Sequence, residues 1–407
     1  MTGNFVVLSD VAEVNPRIPK NIDEDQSVSF LAMASVSEEG ELLEQETRVF
    51  SQTKKGFTYF EKGDVIVAKI TPCFENGKAA HLDRLRTQVG FGSTEFHVIR
   101  PDNSKLDAKY LYYLIKSPNF LHVGERNMTG SAGQKRVPAK FIESLPIPLP
   151  HLAIQKQIAA LLEKADTLRS QCKQMEQELN QLAQSVYIDT VGNKAVGYSD
   201  WPSQSIEDLC LSEKGSMRTG PFGSDLKHSE FVESGIAVIG IDNAVQNEFQ
   251  WGERRYITEE KYKKLKRYRV YPNDVIVTIM GTIGRTAVIP EDIPEAISTK
   301  HLAVLTLDKT KALSEYISDS LKYSSDVSQQ IRKENKGAIM EGLNLGIIKK
   351  LKLNVPPLEV QRDYLIKQKS ISRKVEQNRA VSEMLEDLFC SSMQRAFSGK
   401  LNLTKAA

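Results

Sequence analysis

Leu149-Pro150-His151-Leu152-Ala153-Ile154-Gln155 opens a run that holds neither glycine nor proline until Gly192. About 200 positions later Val355-Pro356-Pro357-Leu358-Glu359-Val360-Gln361 opens a second such run, reaching Phe397. The echo extends outward from these two heptapeptides. Gly63-Asp64-Val65-Ile66-Val67 returns as Asn273-Asp274-Val275-Ile276-Val277, Val7-Leu8-Ser9-Asp10-Val11 as Ser205-Ile206-Glu207-Asp208-Leu209, and Ser93-Thr94 as Ser298-Thr299. All the pairs keep their order. A solenoid repeat runs at roughly 20–50 residues, so this longer unit is a domain with its connector. Two similar domains on two similar connectors suggest a device that reads two similar things at a fixed separation.

Both connectors read as helices. In the first, Ile154, Ile158, Leu161, Ala165, Leu168, Cys172, Met175, Leu179, Leu182 and Val186 alternate spacings of four and three, the a/d seam of a heptad repeat. Such a helix is about 50 Å long at roughly 1.5 Å per residue, and its stripe needs a partner. The second run has Val360, Tyr364, Ile371, Val375, Leu385 and Leu388 on a rougher stripe interrupted by Lys367, Lys374 and Asn378. An antiparallel pair within one chain is the expected arrangement. Packing of each helix on its own domain, or dimerisation of the first, remains open at this point.

Composition sets the frame. The chain has 407 residues, 40% apolar and 26% charged, with a net charge of +2, enough for two or three domains with their own cores. Any nucleic-acid face must therefore arise from local clustering of charge. The four cysteines (Cys73, Cys172, Cys210, Cys390) form no C-x-x-C pair, so free thiols in a reducing cytoplasm are expected. The start of the chain lacks a basic region followed by an apolar run. Its longest apolar stretch, Val275 to Pro290, is broken by Thr278, Thr282 and Arg285, which argues against a membrane span.

Within each repeat, short β-branched runs bounded by turn residues predict strands, with helical segments later at Ala108 to Ile115 and Leu313 to Tyr323. The expected fold class is α+β: two globular domains, each a curved sheet with helices, joined by two long helices in an antiparallel coiled coil with pseudo-two-fold internal repetition. After each central strand comes a glycine-bearing polar turn, which makes Lys69, Thr71, Asn76 and Lys78 candidates in one copy and Thr282 and Arg285 in the other. Basic residues cluster at Lys135-Arg136, at Lys300 and at Lys333 with Lys336. The densest cluster, Trp251 to Val270, carries Lys261, Lys264 and Arg267 among interleaved tyrosines, a mixture suited to phosphate contact with aromatic packing. A solvated amphipathic helix explains that cluster equally well. Arg218-Thr219-Gly220-Pro221-Phe222-Gly223-Ser224, with Lys227 just beyond, is a loop whose backbone could approach a phosphate or base edge.

Motifs of chemistry are missing. No G-x-x-x-x-G-K-[ST] run, G-x-S-x-G elbow or H-E-x-x-H pair occurs. The six histidines are scattered singly, and no Asn-Pro-Pro-Tyr-like tetrapeptide is present to hold an extruded adenine. A chain with reader-like domains and no catalytic machinery supplies specificity to an enzyme built from other chains.

At this point the chain resembles the specificity subunits of type I restriction-modification enzymes over essentially its whole length. The resemblance rests on Leu145-Pro146-Ile147-Pro148-Leu149-Pro150 and Pro356-Pro357-Leu358-Glu359-Val360-Gln361 leading into long helices. It rests also on Gly63 to Val67 followed by Thr71-Pro72-Cys73-Phe74-Glu75-Asn76-Gly77-Lys78, on Gly220 to Lys227, and on the closing Ala396-Phe397-Ser398-Gly399-Lys400-Leu401. It implies target recognition domains at 1–150 and 196–356, each reading half of a split, asymmetric site on double-stranded DNA. It implies helical spacers at 151–195 and 357–407 that fix the gap. Two modification subunits would dock on the helices and methylate adenine with S-adenosylmethionine, and two motor-nuclease subunits would add ATP- and Mg-dependent translocation and cleavage. This chain itself would bind no cofactor or metal.

The length agrees: about 50 Å of helix corresponds to roughly 15 base pairs at about 3.4 Å per step. The competing reading is a coiled-coil scaffold whose end domains bind proteins. The two separate in an electrophoretic shift with duplex DNA: the DNA reader loses affinity steeply as salt rises, because phosphate contacts release counterions, whereas the scaffold gives no salt-dependent shift.

Overall fold

The computed structural model describes residues 5–131, 133–334 and 342–398, and the side chain of Ser224 is also outside the description. Lys336 and Gly399-Lys400-Leu401 therefore lie outside the described residues. The chain divides into two compact units, Met1–Gln174 with Arg379–Ala407, and Met175–Asn378.

In the first unit the strands are β1 (Phe5–Val7), β2 (Ala12–Val14), β3 (Ser27–Leu31), β4 (Glu46–Val49), β5 (Thr58–Glu61), β6 (Val65–Ala68), β7 (Ala79–His81), β8 (Val89–Gly92), β9 (Phe96–Pro101) and β10 (Pro146–Pro148). Two four-stranded sheets form, ordered β2-β9-β6-β7 and β4-β3-β8-β5, while β1 and β10 make a separate ribbon. The helices are α1 (Phe50–Thr53), α2 (Ala108–Ile115), α3 (Pro118–Arg126), α4 (Ala139–Glu143) and α5 (Leu152–Thr190), the last continuing into the second unit. The Asp107 side chain caps α2 by accepting from the Tyr110 N–H, and Ser117 caps α3 with Pro118 in the first turn.

The second unit repeats this plan. Its strands are β11 (Ser203–Ser205), β12 (Met217–Thr219), β13 (Ile236–Ile239), β14 (Tyr256–Ile257), β15 (Val275–Thr278), β16 (Thr286–Val288), β17 (Ala296–Ser298), β18 (Leu302–Leu305) and β19 (Lys352–Asn354). The helices are α6 (Ile206–Leu209), α7 (Glu259–Leu265), α8 (Ser314–Tyr323), α9 (Ser325–Glu334), α10 (Leu345–Lys350) and α11 (Leu358–Phe397), the last running back into the first unit. The sheets are β12-β18-β15-β16 and β14-β13-β17, with β11-β19 as the ribbon. A parallel pair sits inside the second sheet of each unit, β3 with β8 and β13 with β17. The fourth strand of that sheet shrinks to one bridge, Arg269 to Ile297. The expected curved sheet is thus two sheets in each unit.

The repeated Asp-Val-Ile-Val run explains itself in this geometry. Side chains alternate faces along a strand, and here both faces are covered. Val65 and Val67 enter one core cluster and Ile66 and Ala68 another, just as Val275 and Val277 separate from Ile276. A strand buried on both sides reads as a continuous apolar run. The aspartate ahead of it is a buried anchor. Asp64 accepts from Arg100 Nε and Nη2, both at 2.8 Å, and from the Glu61 N–H. Asp274 accepts from Arg218 Nη2 at 2.5 Å, Thr306 Oγ1 at 2.6 Å and the Tyr271 N–H.

The long helices run antiparallel within each unit. In the first, Ile158, Ala159 and Leu162 pack with Met393 and Ala396. Further along, Arg169 reaches Glu386 at 2.5 Å and lies 4.3 Å over the Phe389 ring. In the second, Leu179 and Ala183 pack against Ile371 and Val375. The expected seam is corrected in phase. Ile158, Ala165, Leu179, Ile371 and Val375 are buried, and Ile154 and Leu385 are half-buried. Leu161, Leu168, Met175 and Leu182 are 39%, 38%, 50% and 48% exposed, and Leu388 is exposed as well. The inward row uses the next residue each time: Gln155, Leu162, Arg169, Glu176 and Ala183. Hydrophobicity favoured the other row. With Gln155 buried against its own domain, one of the two seam rows moves on by one residue while Ile158, Ala165 and Leu179 stay inward, so the buried stripe turns by about 50°, half the step of one residue.

The shifted seam separates two neighbouring leucines. Leu162→Ala is expected to lower stability by about 2–4 kcal/mol, and Leu161→Ala by less than about 1 kcal/mol, measured by urea unfolding of the purified chain.

Candidate nucleic-acid interface

In each unit many strand ends meet on one side. In the first, β6 ends where β7 and β9 begin, with Val67 opposite Ala79 and Ala68 opposite Phe96, and β3 ends beside the end of β8, with Leu31 opposite Gly92. The loops 32–45, 69–78 and 93–95 therefore gather there. Lys135 and Arg136 join them through the bridge of Ile70 to Arg136 and the Thr71 N–H donated to the Lys135 carbonyl. In the second unit, Val277 faces Thr286, Thr278 faces Leu302, Thr219 faces Ala303 and Ile239 faces Ser298. Loops 220–224, 240–252, 279–285 and 299–301 therefore share one side.

In the first unit this side holds Lys69, Thr71, Asn76, Lys78, Lys135 and Arg136. Most of them brace the loops. Thr71 Oγ1 donates to Glu75 at 2.8 Å, Asn76 to Glu38 at 2.7 Å, and Lys78 Nζ to the Met33 carbonyl at 3.2 Å. Arg136 grips Glu95 through two nitrogens at 2.9 Å, and the guanidinium holds that carboxyl below its ordinary range. Lys135 is exposed and Lys69 half-buried. Behind them His97 is buried, with Nε2 on the Val137 carbonyl at 2.8 Å and Nδ1 facing Asn15 at 3.1 Å. Burial lowers its pKa first, before the charge of Lys69 adds to it, so a neutral ring is favoured.

In the second unit Thr282, Arg285 and Lys300 stand exposed on the gathered loops. Gly220 seats its loop: a Cβ there would lie 2.2 Å from the Thr299 carbonyl carbon, so only glycine allows the approach. Burial, then Lys300 and Arg255, lower the pKa of His301 beside them, in keeping with a positive neighbourhood. The basic run from Trp251 to Val270 splits in two. Arg254 lies 4.9 Å over the Trp251 ring and Arg255 pairs with Asp242 at 2.5 Å, both on the loop side. β14 then runs antiparallel to β13, with Ile257 opposite Ile236, and carries α7 to the far side. α7 starts there and runs back along the sheet: Lys261 pairs with Glu230 at 2.6 Å and Lys264 with Glu260 at 3.2 Å, and Arg267 returns to the loop side, because Arg269 pairs antiparallel with Ile297, and lies 3.6 Å from Asp225.

Arg218 leaves the candidate surface. It is 9% exposed, and its guanidinium is committed to Asp274, Thr306 and the carbonyls of Arg269 and Gly215. Its place beside a Gly-Pro loop suggested exposure, but the buried Asp274 claims it. Lys227 is exposed, with its N–H donated to Glu230, and Lys333 is exposed in the last turn of α9. Several residues on the loop side were missed by a search for charge: Phe222, Trp251, Met280 and Ile283 are large, apolar and exposed. Isolated apolar residues in polar turns were the available signal.

Among the described residues no group of three or more His, Cys, Asp or Glu is placed to hold a metal ion, and no helix is long and apolar enough to cross a membrane.

The family model described as the type I restriction modification DNA specificity domain matches residues 3–183 and 198–387. The chain belongs to that family. It is 45% identical over 175 residues to the specificity subunit of the type I restriction enzyme EcoAI from Escherichia coli, covering 43% of this chain and 29% of that relative. The alignment to the EcoEI specificity subunit of the same organism likewise spans 29% of the relative's length. The MjaVIII specificity subunit of Methanocaldococcus jannaschii is 23% identical over 325 residues, covering 77% of this chain and 75% of that one. The fold is shared with a chain from a structure concerned with complex assembly and conformational transition of the type I R-M system, at a TM-score of 0.59, 17% identity and 98% coverage of both chains. It is shared also with the S subunit from M. genitalium, at 0.57, 15% identity, and 99% and 97% coverage.

Cations exposed on the loops of the second unit and a cation paired with its own carboxylate predict different mutant behaviour. Arg285→Ala and Lys300→Ala should each weaken duplex binding several-fold and reduce the slope of log affinity against log salt by about one. Lys264→Ala should change neither, when all are titrated by fluorescence anisotropy.

Proposed function

We propose that this chain is the DNA-recognition subunit of a type I restriction-modification complex, with each unit reading one half of a gapped, asymmetric target. One observation carries the reading. The same framework of strands appears twice and collects its loops at the same strand ends, while the residues on those loops differ between the copies. Thr71, Asn76, Lys135 and Arg136 stand on one, and Thr282, Arg285, Lys300 and exposed apolar side chains on the other. Phosphate contacts by the lysines and arginines would position each unit, and polar and apolar contacts to base edges would specify sequence.

The chemistry then belongs to partners. Modification subunits, two by the internal repeat, would carry S-adenosylmethionine and methylate adenine. Motor-nuclease subunits, where present, would bring ATP and Mg. The exposed row of Leu161, Leu168, Met175 and Leu182 on α5 supports docking of other chains on the long helices, since apolar residues at heptad spacing on an open helix face fit a partner helix.

Mapping methylated adenines in the genome of a host that expresses this chain with its cognate methyltransferase tests the proposal. The expected motif has two unlike halves separated by unspecified bases, and exchanging residues 1–150 for those of a relative changes one half alone. A continuous motif, or one indifferent to that exchange, would falsify it.

A further inference from the structure

The heptapeptides that open the two long helices end in a glutamine whose task the proposed function does not account for. Gln155 and Gln361 are both 0% exposed, though each is in the first turn of a helix. Gln155 Oε1 accepts from the Asp107 N–H at 2.8 Å, while Nε2 donates to the Lys105 and Pro150 carbonyls, both at 2.8 Å. Gln361 repeats the set: Oε1 accepts from the Leu313 N–H at 2.9 Å, and Nε2 donates to Lys311 at 3.2 Å and Pro356 at 2.9 Å. Both amide hydrogens are used each time, which fixes which end is nitrogen.

A tyrosine pins the same joint from the domain side. Tyr110 Oη donates to the Pro148 carbonyl at 2.9 Å, and Tyr316 Oη to that of Asn354 at 3.3 Å. Both rings are buried. Every one of these contacts runs to backbone. They lock the first turn of the helix to the segment that leaves the central strand, β9 or β18, and so fix the angle and rotation of the helix on its own domain.

We propose that Gln155 and Gln361 are positioning residues for spacing, setting the gap at which the two half-sites are accepted; this rests on the DNA-recognition reading above. The joint lies beyond the end of β9 opposite to the reading loops. β9 has 6 residues and spans about 20 Å. Over that lever a tilt of roughly 10° displaces the loops by about 3.4 Å, one base-pair step. A loosened joint therefore blurs the gap while leaving the loops, and the half-site sequences they read, unchanged.

Met in place of glutamine keeps length and volume but leaves one N–H and two carbonyls unpaired. Glu keeps the shape but turns an acceptor toward two carbonyls. The test maps methylated adenines genome-wide for the full chain with its cognate methyltransferase, comparing wild type with Gln155→Met, Gln155→Glu and Gln361→Met. The fraction of methylated sites whose gap differs by one base pair from wild type is expected to rise about tenfold or more in each variant, with both half-site sequences retained. Methylation that falls evenly at the wild-type gap alone overturns the proposal, as does loss of the folded chain in both methionine variants. A wild-type motif without a gap overturns the DNA-recognition reading itself, so the two failures are told apart.

Discussion

A primary amide taken out of water must satisfy two donors and an acceptor or cost several kcal/mol, roughly 1–3 for each group left unpaired. Gln155 and Gln361 meet that demand entirely with backbone groups of their own domains. Much of the molecule follows. With Gln155 facing inward, Ile158, Leu162 and Ala165 must face inward too, because a helix allows one phase. The inward row then presents Arg169 where the more apolar row would present Leu168. Arg169 is accommodated by Glu386, Asp166 and the ring of Phe389. Arg169 is half-buried and Glu386 exposed, so the contact costs little desolvation, and a polar residue in the seam helps to define register.

The same logic explains what duplication kept. Retained positions are those whose partners are backbone or a doubly covered strand: the glutamines, the paired tyrosines, Asp64 and Asp274. Even these tolerate change around them. Asp64 is held by Arg100 from the adjacent strand β9, whereas Asp274 is held by Arg218 from β12, one strand further away. The requirement is for some guanidinium near a buried carboxylate, and its origin in the chain was free to move. Burial raises the pKa of Asp274, against the pull of Arg218, so the pair specifies position at some cost in stability.

Legibility in the sequence tracks how local each determinant is. The strand runs, the helix starts and the repeat order all depend on neighbours in the chain, and they were readable from Val65-Ile66-Val67 and from Leu358 to Phe397. The phase of the α5 seam was not, because Leu161 and Leu162 are both apolar and only the tertiary partner of Gln155 chooses between them. The pairing of the basic run near Lys264 was hidden for a similar reason. Lys261, Lys264 and Arg267 each face a carboxylate, Glu230, Glu260 and Asp225 in turn, and those partners leave no mark in composition. The sheets divided where one was expected, since pairing of β3 with β8 is a long-range choice.

A net charge of only +2 fits this arrangement better than a strongly basic surface would. A uniformly positive domain holds any duplex in many registers, since phosphate attraction carries no sequence information. Here Lys261, Lys264 and Arg267 face carboxylates of their own unit, while Arg285, Lys300 and Lys135 stand exposed on loops whose backbone is braced by Thr71, Asn76, Lys78 and Gly220. Bracing matters as much as charge. Discrimination between bases requires donors and acceptors held in place before contact, because a loop that reshapes itself around any sequence rejects none. Rigid loops on a rigid sheet, joined to the helix through a fully satisfied amide, extend that pre-organisation from the contact surface to the joint of each unit.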